Sequence, residues 1–137
     1  MTKNEFINKV IGLPWINRAA SFDAVDCWGL VILYYKHVLN IELPVVDGYQ
    51  LNDNISKCRQ RESNKTHWEE VESADNNTLV FTCYDTIGRP AHVGLYIGGG
   101  MVLHAHGNEE LGGSVKAHKI KVIERMYGKM TFHKFLG

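Results

Sequence analysis

A chain of 137 residues is long enough for one domain with a proper hydrophobic core and too short for two ordinary ones, so residues 1–137 are read as a single domain. Its 15 basic and 15 acidic residues cancel, and no basic block stands out, which gives a nucleic-acid role no electrostatic support. Three cysteines, Cys27, Cys58 and Cys83, cannot all pair within the chain and match no common zinc spacing, so a reducing compartment or at least one functional free thiol is implied.

The opening residues Met1-Thr2-Lys3-Asn4-Glu5 lead into an amphipathic run and not a secretory core. Neither a signal peptide nor a transmembrane segment is expected, which implies cytoplasmic synthesis and delivery by other means if the target lies outside a membrane. Lys3 to Ile11 reads as a short helix with Phe6, Ile7, Val10 and Ile11 on one side, stopped by Gly12-Leu13-Pro14. Residues 15–25 form a loop anchored by Trp15, Ile16 and Phe22.

Asp26 is a good N-cap, since its short carboxylate can accept the free amides of a first helical turn. From Cys27 to Tyr35 the chain carries no charge, and Leu30, Val31, Tyr34 and Val38 recur at helical spacing. Lys36 and His37 supply a basic last turn, and Asn40 to Pro44 ends the element. Such a helix is apolar nearly all round and belongs at the centre of the domain. Gly29 within it costs roughly 1 kcal/mol of helix stability, which points to close packing or substrate passage beside it.

Residues 45–50 read as a loop carrying Asp47, Gly48 and Tyr49, and Leu51 to Val71 as a polar surface helix followed by a turn. Asp75-Asn76-Asn77 is a turn signal, after which the periodicity becomes that of strands. Strands are predicted at Thr78–Cys83, His92–Ile97 and Met101–Ala105, the last two joined as a hairpin by Gly98-Gly99-Gly100, with weaker strands at Ser114–Lys119 and Thr131–Phe135. Ile120 to Tyr127 is ambiguous between strand and short helix. Helices first and a mostly antiparallel sheet after them define an α+β domain.

Cys27 at the start of a helix is the candidate nucleophile. Unpaired amides there favour a thiolate by about 0.3–1 kcal/mol, or about 2 if partly buried, so a histidine partner is required to activate it. Folding the glycine hairpin brings His92 and His104 together. His92 is then the candidate base and ion-pair partner, with His104 bonded to its far ring nitrogen and fixing its tautomer. His106 shares the parity of His104 but sits where the strand ends at Gly107, so His104 is the better placed of the two. His37, His67, His118 and His133 read as surface or edge residues. Competing readings are a buried core cysteine with satisfied structural histidines, or a metal site built from His92, His104, His106 and Cys27, although these form no local metal motif. No metal and no cofactor are called for.

Taken together, Asp26-Cys27-Trp28-Gly29-Leu30-Val31, His92-Val93-Gly94-Leu95-Tyr96-Ile97 and Leu103-His104-Ala105 resemble the NlpC-type cell-wall peptidases, papain-like cysteine endopeptidases of bacteria and phages. The resemblance runs from Gly12-Leu13-Pro14-Trp15 through His104. It implies a papain-like fold, with N-terminal helices packed on a mostly antiparallel sheet and the nucleophile at the N-terminus of a central helix. It places the nucleophile on Cys27, the base on His92 and the third polar residue on His104. Trp15, Asp26, Trp28 and His106 fall as neighbours of the cleft or oxyanion region, and Trp15 lacks the hydroxyl of the tyrosine often found there. The cleft is expected between residues 15–25 and the loops near Asp47 and Gly107. The implied substrate is a peptidoglycan stem peptide, often cut at a γ-D-glutamyl bond to a diamino acid. Trp28, the Tyr34-Tyr35 pair and Ile41-Glu42-Leu43-Pro44 look most like the phage-tail and gene-transfer-agent branch, whose particles carry the domain to the wall, with other tail proteins as partners. Relatives usually carry Gly-Asp where this chain has Asn76-Asn77-Thr78. Some relatives are amidases, acyltransferases or inactive structural modules, and these are the alternatives.

Overall fold

The computed structural model describes residues 1–43, 68–72 and 79–136. Helix α1 spans Lys3–Val10 and is opened by a capping box, in which the Thr2 hydroxyl accepts from the Glu5 amide at 3.1 Å and the Glu5 carboxylate accepts from the Thr2 amide at 3.2 Å. It buries Phe6 and Val10, and Phe6 meets Tyr34 edge-on with ring centroids 5.1 Å apart. Helix α2 spans Cys27–Val38, and Asp26 caps it by accepting the Gly29 amide at 2.6 Å. Eight of its residues are buried, which is the central position that its apolar circumference demands. It ends before Asn40, whose φ of 56° uses the left-handed tolerance of asparagine to turn the chain.

Strands follow at Trp68–Val71 (β1), Leu79–Tyr84 (β2), Pro90–Gly98 (β3), Met101–Asn108 (β4), Gly112–Lys119 (β5) and Met130–Phe135 (β6), with helix α3 at Ile120–Tyr127 between the last two. They form one antiparallel sheet in the order β1-β6-β2-β3-β4-β5. Gly98, Gly99 and Gly100 all take positive φ, and this lets the β3–β4 hairpin turn tightly. Alternation along the strands sorts the side chains into two cores. Val93, Leu95, Leu103, Ala105 and Val115 face α2, whereas Leu79, Phe81, Cys83, Tyr96 and Val102 pack with Ile123 of α3. The domain is α+β, as the order of helices and strands predicts.

Two expectations change. The end of the segment read as a surface helix followed by a turn, Trp68 to Val71, is instead strand β1, paired to β6. Trp68 is buried there against Phe135, with centroids 4.8 Å apart, and against Tyr35 at 5.8 Å, so long-range aromatic packing outweighs the polar character of its neighbours. The ambiguous segment Ile120 to Tyr127 is a helix because Ile123 buries itself on the sheet while its neighbours face outward. Residues 44–67, with the Asp47 loop, Cys58 and His67, and the turn at 75–77 lie outside the described residues. No helix among the described residues is long and apolar enough to cross a membrane.

Gly29 is explained by close packing. A β-carbon there would lie 1.9 Å from the Ala19 carbonyl oxygen and 2.9 Å from Asp26 Oδ1. That carbonyl also accepts the Asp26 amide at 3.0 Å, so the cap and the preceding loop are held by the same contact. We predict that Gly29→Ala loses about 2 kcal/mol despite its better helix propensity, because backbone must move to admit the methyl group. Thermal unfolding should then occur roughly 5–10 °C lower; an unchanged or raised melting temperature would contradict the contact.

Candidate active site

Cys27 is the first residue of α2, and its side chain is 5% exposed. Amides of Val93, Trp28 and Cys27 itself hydrogen-bond the sulfur and stabilise its charged form. They are outweighed: burial pushes the thiol far above its usual range, and the Asp26 carboxylate beside it pushes in the same direction. Asp26 is held in place by the Gly29 amide on one oxygen and the Arg18 amide, at 2.8 Å, on the other. Cys27 and Cys83 are both free and buried.

The histidines project from β3, β4 and β5 on the sheet face that α3 covers. His92 Nε2 and His104 Nδ1 are hydrogen-bonded at 3.0 Å, and His104 Nε2 and His118 Nδ1 at 2.8 Å, so three imidazoles form one chain. Tyr127, the last residue of α3, stacks on the His92 ring at 4.0 Å between centroids and 12° between planes, and its hydroxyl bonds His106 Nδ1. Phe81 lies 5.9 Å from the His92 ring centroid. His92 is 4% exposed and His104 fully buried.

Burial favours the neutral forms of Cys27, His92, His104, His106 and Tyr127. His92 is pulled well below its usual range by burial, then by the neighbouring His104 and His106. His104 is pulled down to about 3 by burial, with His118, His106 and Lys116 adding to it. His106 is lowered by burial and by Lys116 and His118. The Tyr127 phenol is raised to about 12 by burial and by Cys27 and Cys83, both of which interact with it electrostatically. The sequence suggests a thiolate–imidazolium pair; the closed site instead favours neutral thiol and neutral imidazole, since desolvation exceeds what a helix end supplies.

The Cys27 sulfur lies at the Val93 amide, and His92 is the residue before Val93 on β3, with its ring on the face that α3 covers. The hydrogen bond of His92 goes to His104 through Nε2, which leaves Nδ1 outside that chain. His106 turns to Tyr127. The Trp28 side chain is part of the aromatic core, 6.3 Å from Trp68 between centroids, and only its amide reaches the thiol. Trp15 is buried, pairs with Val25 and donates its amide to the Gly113 carbonyl at 2.9 Å. Together with Ile16, Asn17, Asn108, Glu109 and Gly112 it lines an open recess of about 380 Å³, between two of the three segments expected to form the cleft, the third, near Asp47, lying outside the described residues. Among the described residues no cluster of three or more histidine, cysteine or carboxylate side chains has a metal-holding arrangement.

Two site neighbours escape a sequence reading. His118, read as a surface or edge residue, sits diagonally from His104 because Val102 pairs with His118 and His104 with Lys116. Seeing this needs the β4–β5 register, which strand parity alone does not supply. Tyr127 lies in the segment of undecided type, and only a helix with Ile123 inward delivers its ring to His92. His133 is likewise buried and not at an edge, because β6 lies between β1 and β2.

A helix that starts on a free cysteine, packed on an antiparallel sheet bearing hydrogen-bonded histidines, is the arrangement of a papain-like thiol peptidase. The family model for NlpC/P60 proteins matches residues 13–135, and the chain belongs to the NlpC/P60 family of papain-like peptidases. Among solved structures, the chain is similar to an NlpC/P60 family protein from Bacillus cereus ATCC 10987, with 23% identity and a TM-score of 0.63 over 100% of this chain and 41% of that one. It is similar also to the NlpC/p60 domain of the peptidoglycan hydrolase SagA, with 19% identity and a TM-score of 0.59 over 93% of this chain and 92% of that domain. NlpC2 from Trichomonas vaginalis aligns with 20% identity and a TM-score of 0.58 over 86% of this chain and 40% of its own. At these identities the likeness is one of fold. The chain spans about two fifths of the Trichomonas and Bacillus proteins. No curated protein sequence matches it.

Proposed function

We propose that this domain is a cysteine endopeptidase that hydrolyses amide bonds in peptidoglycan stem peptides, with Cys27 as nucleophile, His92 as base and His104 as the residue that orients it. The observation that carries the reading is the contact between His92 Nε2 and His104 Nδ1, 3.0 Å, beside a thiol at a helix start. With Nε2 engaged, Nδ1 of His92 is the nitrogen available to take the thiol proton. The sulfur then attacks the substrate carbonyl carbon, and the charge that grows on the oxygen meets amide N–H groups at the start of α2. His92 returns the proton to the leaving amine as the C–N bond breaks, giving a thioester. Water attacks that thioester, losing a proton to His92, and the released acid leaves Cys27 as the thiol again.

Family membership and the likeness to a peptidoglycan hydrolase domain support the substrate class. A γ-D-glutamyl bond to a diamino acid is the bond we assign, on the resemblance of the Cys27 and His92 motifs. We also propose carriage to the wall by a phage or phage-like particle, a reading supported only by the resemblance of Trp28, the Tyr34-Tyr35 pair and Ile41-Glu42-Leu43-Pro44 to that branch. Mass spectrometry of purified sacculi digested by the protein tests the bond. Expected are fragments ending in D-glutamate with a matching new amine on the diamino acid. Release of whole stem peptides would make the protein an amidase, and no release at all would support a structural module.

A further inference from the structure

The proposed triad accounts for two of the three imidazoles that are joined on this sheet face. The third is His118 on β5, half-buried, with Nδ1 at 2.8 Å from His104 Nε2. The side chains around it are His104 and, on the same face of β4 and β5, Lys116 and His106. His106 is bonded to the Tyr127 hydroxyl. His118 is therefore the hydrogen-bond partner of the outer nitrogen of His104.

Tautomer logic gives this contact a consequence. A neutral imidazole carries one N–H. For His92 to receive a proton at Nδ1, its own N–H must be on Nε2, so Nε2 donates and His104 Nδ1 accepts. The single N–H of His104 is then on Nε2 and needs an acceptor, which is His118 Nδ1. An acceptor at His118 thus fixes the tautomer of His104, and through it the tautomer of His92. If the outer position offered a donor instead, the chain would reverse and leave His92 with its proton on Nδ1, facing away from the role of base.

Resting on the function proposed above, we infer that His118 is a positioning residue of this site: its Nδ1 accepts the His104 Nε2–H and holds His92 in the tautomer that can deprotonate Cys27. Sequence position supplies no hint of this, since only the β4–β5 register brings residue 118 to residue 104.

The test compares His118→Asn, whose Oδ1 can occupy about the place of Nδ1, with His118→Leu, which has no acceptor. Two readouts are used: the rate at which iodoacetamide alkylates Cys27 at neutral pH, and the imidazole tautomers from long-range nitrogen–proton correlation spectra. In the unaltered protein His104 should carry its proton on Nε2. The leucine variant should mix the two His104 tautomers and slow alkylation about tenfold, the loss of one strong buried hydrogen bond. The asparagine variant should stay within about twofold of the parent, since the hydrogen bond is kept. Equal rates in all three proteins, or equally slow rates in both variants, would overturn the proposal. So would a His104 proton on Nδ1 in the unaltered protein, a result that needs no variant to fold. His92→Ala separates the two levels: if it alkylates like the parent, the base assignment is wrong and the proposal goes with it. If it is slow while His118→Leu is normal, the role of His118 alone is refuted.

Discussion

Cys27→Ala is expected to abolish release of peptide fragments from sacculi, by at least ~10⁴-fold, while the protein stays folded. The proposed reaction needs a covalent thioester, and among the described residues no other thiol stands at a helix start. Cys83, the second free cysteine among the described residues, is buried among Leu79, Phe81 and Met130 on the α3 side of the sheet. Its thiol, like that of Cys27, is raised by burial, with Glu124 adding to it, so what separates the two is position: Cys83 lies within strand β2 and has no helix start behind it. Cys83→Ala should therefore keep activity within a few-fold. The stability cost of Cys27→Ala is small, on the order of 1 kcal/mol, because one sulfur is lost and the Asp26 cap on the Gly29 amide remains. Fragment release by Cys27→Ala at the parent rate, with a matched melting curve, would remove the thiol from the mechanism. Loss of activity in Cys83→Ala alone would move the nucleophile to the other face of the sheet.

Much of this was readable from local pattern. Asp26 before an uncharged helical run marks a capped central helix, and alternation marks β2, β3 and β4, because cap chemistry and strand parity are properties of consecutive residues. The glycine hairpin then forces His92 and His104 onto neighbouring strands, so that pair was legible too. What stayed hidden depends on contacts between distant segments. Trp68 becomes a strand residue only because Tyr35 and Phe135 wait for it. His118 joins the imidazole chain through a register set across the β4–β5 turn, and Tyr127 reaches His92 through the docking of α3. Ionisation was the least legible. Helix position argues for a thiolate, yet a site with Cys27, His92 and His104 all nearly sealed from water prefers uncharged groups. The magnitude decides it: a helix end offers at most about 2 kcal/mol, whereas full burial can shift a group by 3–5 pKa units.

That preference for uncharged histidines predicts steep acid destabilisation. His92 and His104 both have folded-state pKa values below the ordinary 6.5, the latter at about 3, chiefly through burial. Below pH 6.5 the unfolded chain takes up protons that the folded chain refuses. The stability supplied by these two groups is therefore complete above that pH and is lost as pH falls towards their folded values. A group whose folded pKa lies below that window contributes a slope of about 1.4 kcal/mol per pH unit, so His104 gives roughly 2 kcal/mol between pH 7 and pH 5, and His92 adds in the same direction. For a domain of this size the His104 share alone corresponds to a melting temperature lower by roughly 5–10 °C at pH 5 than at pH 7. His104→Gln should remove its share of this pH dependence, since glutamine has no proton to take up in the range. A folded domain whose melting temperature is level from pH 7 to pH 5 would show that the imidazoles accept protons in place. The neutral resting state, and with it the supply of an unprotonated His92 to receive the Cys27 proton, would then have to be given up.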